Sequence, residues 1–297
     1  MKKTLLAMFL VVAVSMASTS SAFAAVTSTT EAQAKQTVTD IANGGEKLVG
    51  DGVPFDEPTT QEGGLIKPQW KSGGANHTHQ FIVANALKIL EHDKGSNISQ
   101  CFYANGLSNI LLEYTDKPDK DEIDLGTFAG HFYDPDTGKN FLGASNPTAL
   151  TRAVSHAYNA RDSYSYDKTR SMQELGRALH YLDDINQPYH SANKIAVVTP
   201  HTEFEQWVDE RRTSYTASTS NLYTLLNPSD FTSEWETYVG DVVKNSAKYS
   251  KSYIDLATST SASQYSDWDK ATRATLPHAQ EITAAVLYNF LKAVGEI

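Results

Sequence analysis

Residues 172–190 read MQELGRALHYLDDINQPYH, and this stretch combines a helix pattern with potential metal ligands. Apolar residues recur at helical spacing from Met172 to Leu182, which predicts an amphipathic helix. His180 and Asp184 lie four residues apart. On such a helix they share one face, so the two side chains can bind one ion together.

The same arrangement of ligands recurs a little further along the chain. Pro188 ends the predicted helix, and the loop after it returns His190 to the same neighbourhood. His201 and Glu205 are again four residues apart in a helical pattern. Two histidines with one carboxylate are a common ligand set for catalytic zinc. This concentration of ligands therefore indicates a multi-zinc site.

The spacing of apolar residues is helical almost throughout the part of the chain beyond Trp70, and no alternating run is long enough for a sheet. We therefore expect a single all-α multi-helix bundle of roughly seven to nine helices over residues 70–297. Proline, glycine and asparagine mark the loops. The loops are predicted at 134–138, 186–188, 227–229 and 275–277, the last at the start of the final helix.

The first 69 residues differ from the rest of the chain. Residues 1–24 have a basic start, a short apolar run and small residues at the end, which indicate a signal peptide and a secreted, extracellular protein. Residues 25–69 are rich in Thr, Gly, Pro and Gln and poor in large apolar groups. They are predicted to form a removable, poorly ordered pro-segment.

Composition restricts the class of partner. The formal net charge is −10, so the surface repels nucleic acid unless bound metal supplies positive charge. With Cys101 as its one cysteine, the chain cannot form an internal disulfide. The predicted domain must then be stabilised by its core and by bound metal.

Two upstream motifs complete the pattern: HTHQFIV at 77–83 and HFYDPD at 131–136. Together with Trp70, the 180–190 segment and the H-x-x-x-E of 201–205, they make the chain resemble the bacterial zinc-dependent phospholipases C. This group includes the lecithinases of spore-formers and the catalytic domain of clostridial alpha-toxins. The resemblance extends from Trp70 to the C-terminus, and it implies an all-α fold of the type shared with single-strand nucleases.

The resemblance also implies a centre of three zinc ions. Trp70 would bind the first zinc through its own amino nitrogen and carbonyl oxygen, and His79 would share that ion. Asp184 would bridge to the second zinc, and three further residues would hold the third. The ligands implied are Trp70, His79, His131, His180, Asp184, His190, His201 and Glu205.

Some of these assignments have rivals. His77 competes with His79, and Asp183 with Asp184, although position in the family motif favours the second of each pair. The family also uses an aspartate before the HFYDPD histidine to orient or deprotonate the attacking water. Asp116 is the best match to this residue.

Asp119 is the second candidate for that aspartate, because the loop here is slightly longer. Phe128 matches a family aromatic that contacts the lipid headgroup. Gly73 and Lys117 stand where choline-specific members have an acid and an aromatic, so the headgroup preference stays open.

The activity implied is hydrolysis of the glycerol-side phosphodiester of phosphatidylcholine or a related phospholipid, to diacylglycerol and a phosphorylated headgroup. The substrate would be presented by a phospholipid membrane surface, and the enzyme is expected to be a monomer. An amide nitrogen within the Gln69–Trp70 peptide bond cannot be an amine ligand. The full-length form is therefore predicted to be a weak or inactive zymogen until an activating protease cuts there.

Two alternatives come from other classes. A three-zinc single-strand nuclease or 3′-nucleotidase has a similar layout, but it typically has aspartate in place of Glu205 and lacks a match to HFYDPD. A non-catalytic zinc- or lipid-binding secreted protein is the second alternative. Structural zinc sites usually have four protein ligands and favour cysteine, which this ligand set does not match.

Overall fold

The structure is a computed structural model that describes residues 29–45, 78–122, 124–226 and 231–297. Within these ranges the regular structure is helical, apart from one isolated antiparallel bridge between Asp134 and Lys139. The predicted all-α fold is confirmed. The α-helices are α1 Glu31–Ala42, α2 Thr78–Lys94, α3 Ser96–Tyr103, α4 Leu107–Thr115, α5 Lys117–Asp121, α6 Leu125–Phe128, α7 Ala149–Ser163, α8 Lys168–Ile185, α9 Pro188–Ser191, α10 His201–Asp209, α11 Phe231–Lys251, α12 Ile254–Ala257 and α13 Gln264–Ala293.

Helix α8 is central to the bundle and packs between α4 and α7, while α2 and α11 pack against α13. The crossing of α4 and α8 is unusually close at Gly176. A Cβ at this position would lie 2.6 Å from the carbonyl oxygen of Leu111. The absence of a side chain at Gly176 therefore allows α8 to approach the end of α4.

The apolar interior forms two clusters. The larger one, which we call the main apolar cluster, contains Leu87, Leu179 and Trp235 among many residues of α1–α4, α7, α8, α11 and α13. The smaller one includes Phe81 of α2 and Trp268 of α13, with residues of α9 and α10. Because α2 and α13 contribute to both clusters, they connect the two halves of the bundle.

The final helix differs from the sequence prediction. A loop was expected at 275–277, but α13 begins at Gln264 and continues through Pro277. Proline removes one backbone hydrogen bond and does not abolish the helix when both sides are packed. Leu276 and Ala279 are fully buried on either side of Pro277, so tertiary packing maintains the helix. The predicted loop at 227–229 lies outside the described residues.

The segment 25–69 also differs in part from its prediction. It was expected to be poorly ordered, yet residues 31–42 form α1, and the buried side chains of that helix belong to the main apolar cluster. For these residues the prediction was wrong, because a short apolar stripe was missed in a polar composition. The proposed signal peptide and the rest of the segment lie largely outside the described residues. Among the helices described, none is both long and apolar enough to cross a membrane.

Candidate metal centre

Eight titratable side chains converge between the two apolar clusters, and we call this set the metal centre. All eight side chains are buried, although each of them is polar or ionisable. Trp70, which was assigned from the sequence, and His77, the rival of His79, lie outside the described residues. The metal centre consists of His79, Asp119, His131, His180, Asp184, His190, His201 and Glu205.

The first group of potential ligands surrounds α8. Asp167 caps this helix by accepting a hydrogen bond from the Arg170 amide, and α8 then presents His180 and Asp184 on one face. Asp184 Oδ2 lies 3.2 Å from His180 Nε2 and 2.8 Å from His131 Nδ1. The sequence predicted that these three residues would meet, and the structure brings them together.

The second group is built by α9 and α10. His201 Nε2 lies 2.8 Å from Glu205 Oε1, as the four-residue spacing predicts. His190 Nε2 is 3.5 Å from the same oxygen. The other ring nitrogen of His190, Nδ1, donates to the carbonyl oxygen of His131 at 2.9 Å. This hydrogen bond orients the His190 ring and links the second group to the first.

The third group forms where α2 and α5 approach α8. His79 Nε2 lies 3.9 Å from Asp119 Oδ2, and His180 Nε2 lies 3.5 Å from Asp119 Oδ1. His79 Nε2 is also 3.7 Å from Asp184 Oδ1. The two oxygens of Asp184 therefore face different groups, one towards His79 and the other towards His131 and His180.

The aspartate that reaches the centre from the α4–α5 region is Asp119, the second sequence candidate. Asp116 is buried at the junction of the two helices and belongs to none of the three groups. It lies near Asp183 instead, whose pKa is raised well above its usual range mainly by burial, with smaller contributions from Asp184 and Asp116. Helix α5 adds a turn after Asp116, and this turn directs Asp119 inward. Distance along the sequence could not show such a turn.

Several side chains that support the ligands were not identified from the sequence. Glu122 Oε2 lies 3.6 Å from His131 Nε2, and the Tyr181 hydroxyl donates to Glu122 Oε1 at 2.5 Å. The side-chain amide of Gln187 donates from Nε2 to Glu205 Oε1 at 2.8 Å. Partners of this kind orient metal ligands in proteins. No spacing or motif in the sequence singles them out.

Asp183, considered from the sequence as a rival ligand, lies behind His79. Its Oδ2 is 3.6 Å from His79 Nδ1, and its Oδ1 accepts a hydrogen bond from the Thr283 hydroxyl at 3.2 Å. Asp183 belongs to none of the groups of potential ligands. It faces the side of the imidazole opposite to Asp119 and Asp184, which is the position of an orienting partner.

Burial controls the charge of several histidines. It is the largest cause that lowers the pKa of His190 and holds the pKa values of His79 and His201 well below their usual range. These three rings are therefore neutral at pH 7. Neutral imidazole is the form that binds a metal ion, so these ligands need not lose a proton first.

His180 and Glu205 behave differently from those rings. Burial disfavours the charged form of His180, but Asp184 and Asp119 outweigh it and raise the pKa to about 10. Burial also raises the pKa of Glu205 well above its usual range. An ion that binds here must displace a proton from His180, so binding is coupled to proton release.

The donor atoms fit a divalent cation of the zinc type. The distances between them, 2.8 Å to 3.9 Å, are close to the roughly 3.3 Å edges of a tetrahedron of zinc ligands. His190 Nε2 and Glu205 Oε2 are buried and have no hydrogen-bond partner among the described residues. Buried polar atoms normally have partners, so two such atoms that face one group fit a binding site for a cation.

Aromatic side chains line one side of the centre. Phe132 stacks on His190 at 4.4 Å between ring centroids, and Phe128 lies 5.5 Å from His131. Phe141 contacts both phenylalanines. This wall excludes water from the ligands on its side. Phe128, predicted from the sequence to contact a headgroup, lies beside the centre and is itself buried.

A helical bundle with a buried set of histidines and carboxylates is typical of proteins that bind zinc. A family model described as zinc dependent phospholipase C matches residues 78–270. The chain belongs to the zinc-dependent phospholipase C family, as the sequence motifs predicted.

Individual relatives agree with this assignment. The chain is 32% identical over 239 residues to a phospholipase C of Paraclostridium bifermentans, and 31% identical over 243 residues to one of Clostridium perfringens. These matches cover 73% and 74% of the chain but 59% of each relative. An alpha toxin from Clostridium absonum has a similar fold, with a TM-score of 0.65 and 26% identity over 73% of this chain and 64% of that one. The chain thus spans less than two thirds of the length of these proteins.

Proposed function

We propose that the protein is an exported phospholipase C that uses three zinc ions to hydrolyse the glycerol-side phosphodiester of phospholipids. The products would be diacylglycerol and a phosphorylated headgroup. The observation that carries the proposal is the convergence of three groups of ligands in one buried centre, within a chain of the zinc-dependent phospholipase C family. Family membership also favours this activity over the nuclease and the non-catalytic alternatives.

The chemistry of a phosphodiester explains why such a centre is needed. The substrate is an anion and resists attack by neutral water. Bound zinc lowers the pKa of a coordinated water from 15.7 to roughly 7 and stabilises negative charge on phosphate oxygens. The protein supplies neutral imidazoles at His79, His190 and His201, so the ligands do not cancel the positive charge of the ions.

We assign Asp119, in place of Asp116, as the carboxylate that orients or deprotonates the attacking water. Asp119 is more exposed than Asp184, with side-chain exposures of 6% and 2%, so it lies closer to the solvent side of the centre. Its oxygens face rings of three histidines of the centre. A carboxylate in this position can accept a proton while its neighbours hold ions.

The substrate would approach along the aromatic side of the centre. Phe128 and Phe141 lie there, and Leu125 and Leu142, their neighbours in the sequence, are half exposed. Apolar side chains of this kind suit contact with a phospholipid membrane surface. Lys117 pairs with Glu113 at 3.3 Å instead of providing an aromatic face, so we propose no single headgroup.

Export and activation form part of the proposal. Residues 1–24 would be removed as a signal peptide, and a protease would then cut before Trp70. The new amino group would lie nine residues from His79, a span of up to roughly 30 Å when extended, which allows it to serve as a ligand of the first zinc. The uncut chain would be weakly active because an amide nitrogen cannot take this role. We further propose that the enzyme acts as a monomer without a nucleic-acid partner.

The decisive experiment measures product release by the processed protein. Vesicles of phosphatidylcholine or phosphatidylethanolamine are incubated with enzyme, and the phosphorylated headgroup and diacylglycerol are quantified beside cleavage of single-stranded DNA. We expect headgroup release from at least one lipid and no cleavage of single-stranded DNA. Cleavage of DNA alone would establish the nuclease alternative. Stoichiometric zinc without hydrolysis of either substrate would establish the non-catalytic one.

A pair of matched variants tests the assignment of the water-orienting residue. Asp119→Asn should lower kcat by about 100-fold or more, because the carboxylate that accepts the proton is lost. Asp116→Asn makes the same chemical change three residues away and should leave kcat within about threefold of the wild type. Both proteins are checked for zinc content by elemental analysis. A larger loss of kcat in Asp116→Asn would return the role to that residue.

A further inference from the structure

Helix α1 lies within the segment that we propose to be removed, yet it is built into the folded domain. It occupies residues 31–42, well before Trp70, and the family match begins only at residue 78. The inference below rests on the proposed cut before Trp70. It concerns what happens to α1 after that cut.

The residues at the start of α1 cap its N-terminus. The Thr30 hydroxyl accepts a hydrogen bond from the Gln33 amide at 3.3 Å, and the Gln33 side chain accepts one from the Thr30 amide at 2.9 Å. This reciprocal pair is a capping box, and Glu31 in the first turn favours the same end of the helix. These features favour a helix in this segment.

One face of α1 is completely buried. Ala34 and Val38 have no exposed surface, and Ile41 and Ala42 have 3% each. The spacing of these residues, 34, 38, 41 and 42, is that of a single helical stripe. All four belong to the main apolar cluster, and α1 packs on α2, α3 and α4. Its apolar side thus forms part of the core of the domain.

Polar contacts surround this apolar stripe. Lys35 forms an ion pair with Glu91 of α2, and Gln100 of α3 donates to Glu31 at 2.8 Å. The chain just before the helix is also fitted closely, since a Cβ at Gly106 would lie 2.9 Å from the Thr29 side chain. These contacts define one register of α1 on the surface formed by α2, α3 and α4.

We propose that residues 29–45 stay bound to the α2–α3–α4 surface after cleavage before Trp70, so that the processed enzyme is a complex of two chains. The cut would break only the covalent link through residues 46–77. It would leave the buried stripe and the polar contacts of α1 intact. Loss of the helix would expose the apolar side of α2, which also carries His79 of the metal centre. The retained helix would therefore support an element of the catalytic site.

The test uses the full chain with a defined cleavage site. Residues 66–69 are replaced by IEGR, the recognition sequence of a protease that cuts after arginine, so cleavage leaves Trp70 as the new N-terminus. The cut protein is captured by a C-terminal tag at about 10 µM and washed, a concentration at which complexes with micromolar Kd persist. Mass spectrometry then quantifies the N-terminal fragment. We expect about one fragment per captured chain, and a fragment found wholly in the wash would overturn the proposal.

Two variants separate docking through the apolar stripe from non-specific retention. Val38→Asp places a charge in the buried stripe and should reduce fragment retention by about tenfold or more. Ala32→Asp places the same charge on an exposed position of α1 and should leave retention unchanged. Equal retention of both variants would contradict docking through the stripe.

Hydrogen exchange keeps the test independent of any folding defect in the variants. In the chain that carries IEGR at 66–69 and no other substitution, amides of residues 35–42 should be protected to the same extent before and after the cut. Loss of protection on cleavage would also overturn the proposal. Neither readout requires lipid hydrolysis. A protein that retains the fragment but hydrolyses no lipid would disprove the proposed function only, and an active enzyme without the fragment would disprove this inference only.

Discussion

The metal centre and the main apolar cluster are both buried, but they are stabilised in opposite ways. The apolar cluster consists of side chains that gain free energy when they leave water, so the chain alone is enough to form it. The metal centre gathers five histidines and three carboxylates, whose burial costs free energy unless their charges and donors find partners. Its stability depends on a ligand that the chain does not encode.

The pKa values of the centre illustrate this difference. Burial is the largest cause that holds the pKa of His79 well below and that of Glu205 well above its usual range, whereas for His180 and Asp184 contacts with oppositely charged neighbours outweigh burial. Divalent cations would satisfy neutral imidazoles and carboxylates together. The polar interior is therefore expected to be a cost to the fold without metal and a source of stability with it. The four predictions below test this contrast.

The largest effect on activity is expected from Asp184, the carboxylate that faces two groups of potential ligands. Asp184→Asn should reduce lipid hydrolysis by about 10⁴-fold or more, which corresponds to about 5 kcal/mol in the activation free energy. An amide lacks the charge that attracts cations, and it cannot accept at both positions. Headgroup release and bound zinc are measured together. The exposed Asp162 provides the control, and Asp162→Asn should leave both unchanged. Full activity of Asp184→Asn would remove this residue from the centre.

The apolar cluster is tested by Trp235→Ala. Trp235 is fully buried and donates to the Ala157 carbonyl oxygen at 2.9 Å. Its loss should lower the free energy of unfolding by about 3–5 kcal/mol, because a large cavity remains in the cluster. Urea denaturation measures this change, and zinc bound per folded chain should stay constant. Tyr166, which is 66% exposed, serves as the control, and Tyr166→Ala should change stability by about 0.5 kcal/mol or less.

His278 provides a test of a half-buried histidine outside the metal centre. It packs against Tyr249 in the helical bundle, and burial lowers its pKa from 6.5 to about 4. Between these values the unfolded chain binds a proton that the folded chain does not, so stability falls as pH decreases from 6.5 to 4. The maximal loss, reached below pH 4, is about 3 kcal/mol, and it disappears as the pH rises above about 7.

The measurement compares urea denaturation of the wild type and His278→Gln at pH 7.5 and pH 4.5. The variant should lose less stability between the two pH values by about 2 kcal/mol. Identical pH dependence in the two proteins would show that His278 is not desolvated in solution.

The smallest effect is expected from Asp183, which lies behind His79. Asp183→Asn should weaken zinc binding by about 10- to 100-fold, which corresponds to about 1.4–2.7 kcal/mol. Thr283→Val removes the hydroxyl that bonds Asp183 and should produce a smaller change in the same direction. Zinc affinity is measured by competition with a chromophoric chelator. An unchanged affinity in Asp183→Asn would show that His79 is oriented without it.

The sequence alone led to most of the candidate ligand set. The spacing of His180 with Asp184 and of His201 with Glu205 predicted two pairs correctly, because four residues make one turn of a helix. The sequence also predicted that His190 returns to this neighbourhood after Pro188, which in the structure begins α9, the helix that carries His190. These inferences depend only on local geometry, which a helical pattern determines without knowledge of the rest of the fold.

Other features depended on contacts between distant segments. The sequence favoured Asp116, whereas a turn of α5 brings Asp119 to the centre. Pro277 suggested the start of a helix, but packing on both sides carries α13 through it. In both cases a local signal was outweighed by tertiary packing, whose free energy exceeds that of one backbone hydrogen bond or one turn.

Sequence by itself determined the helical class, the family and the residues able to bind zinc, because these follow from periodicity and from the chemistry of side chains. Tertiary structure decided which aspartate enters the centre, that Glu122 and Gln187 support its ligands, and that α1 belongs to the core. Each of these features is a contact between segments that are distant in the sequence. Such contacts depend on how whole helices pack, so no local pattern of residues predicts them.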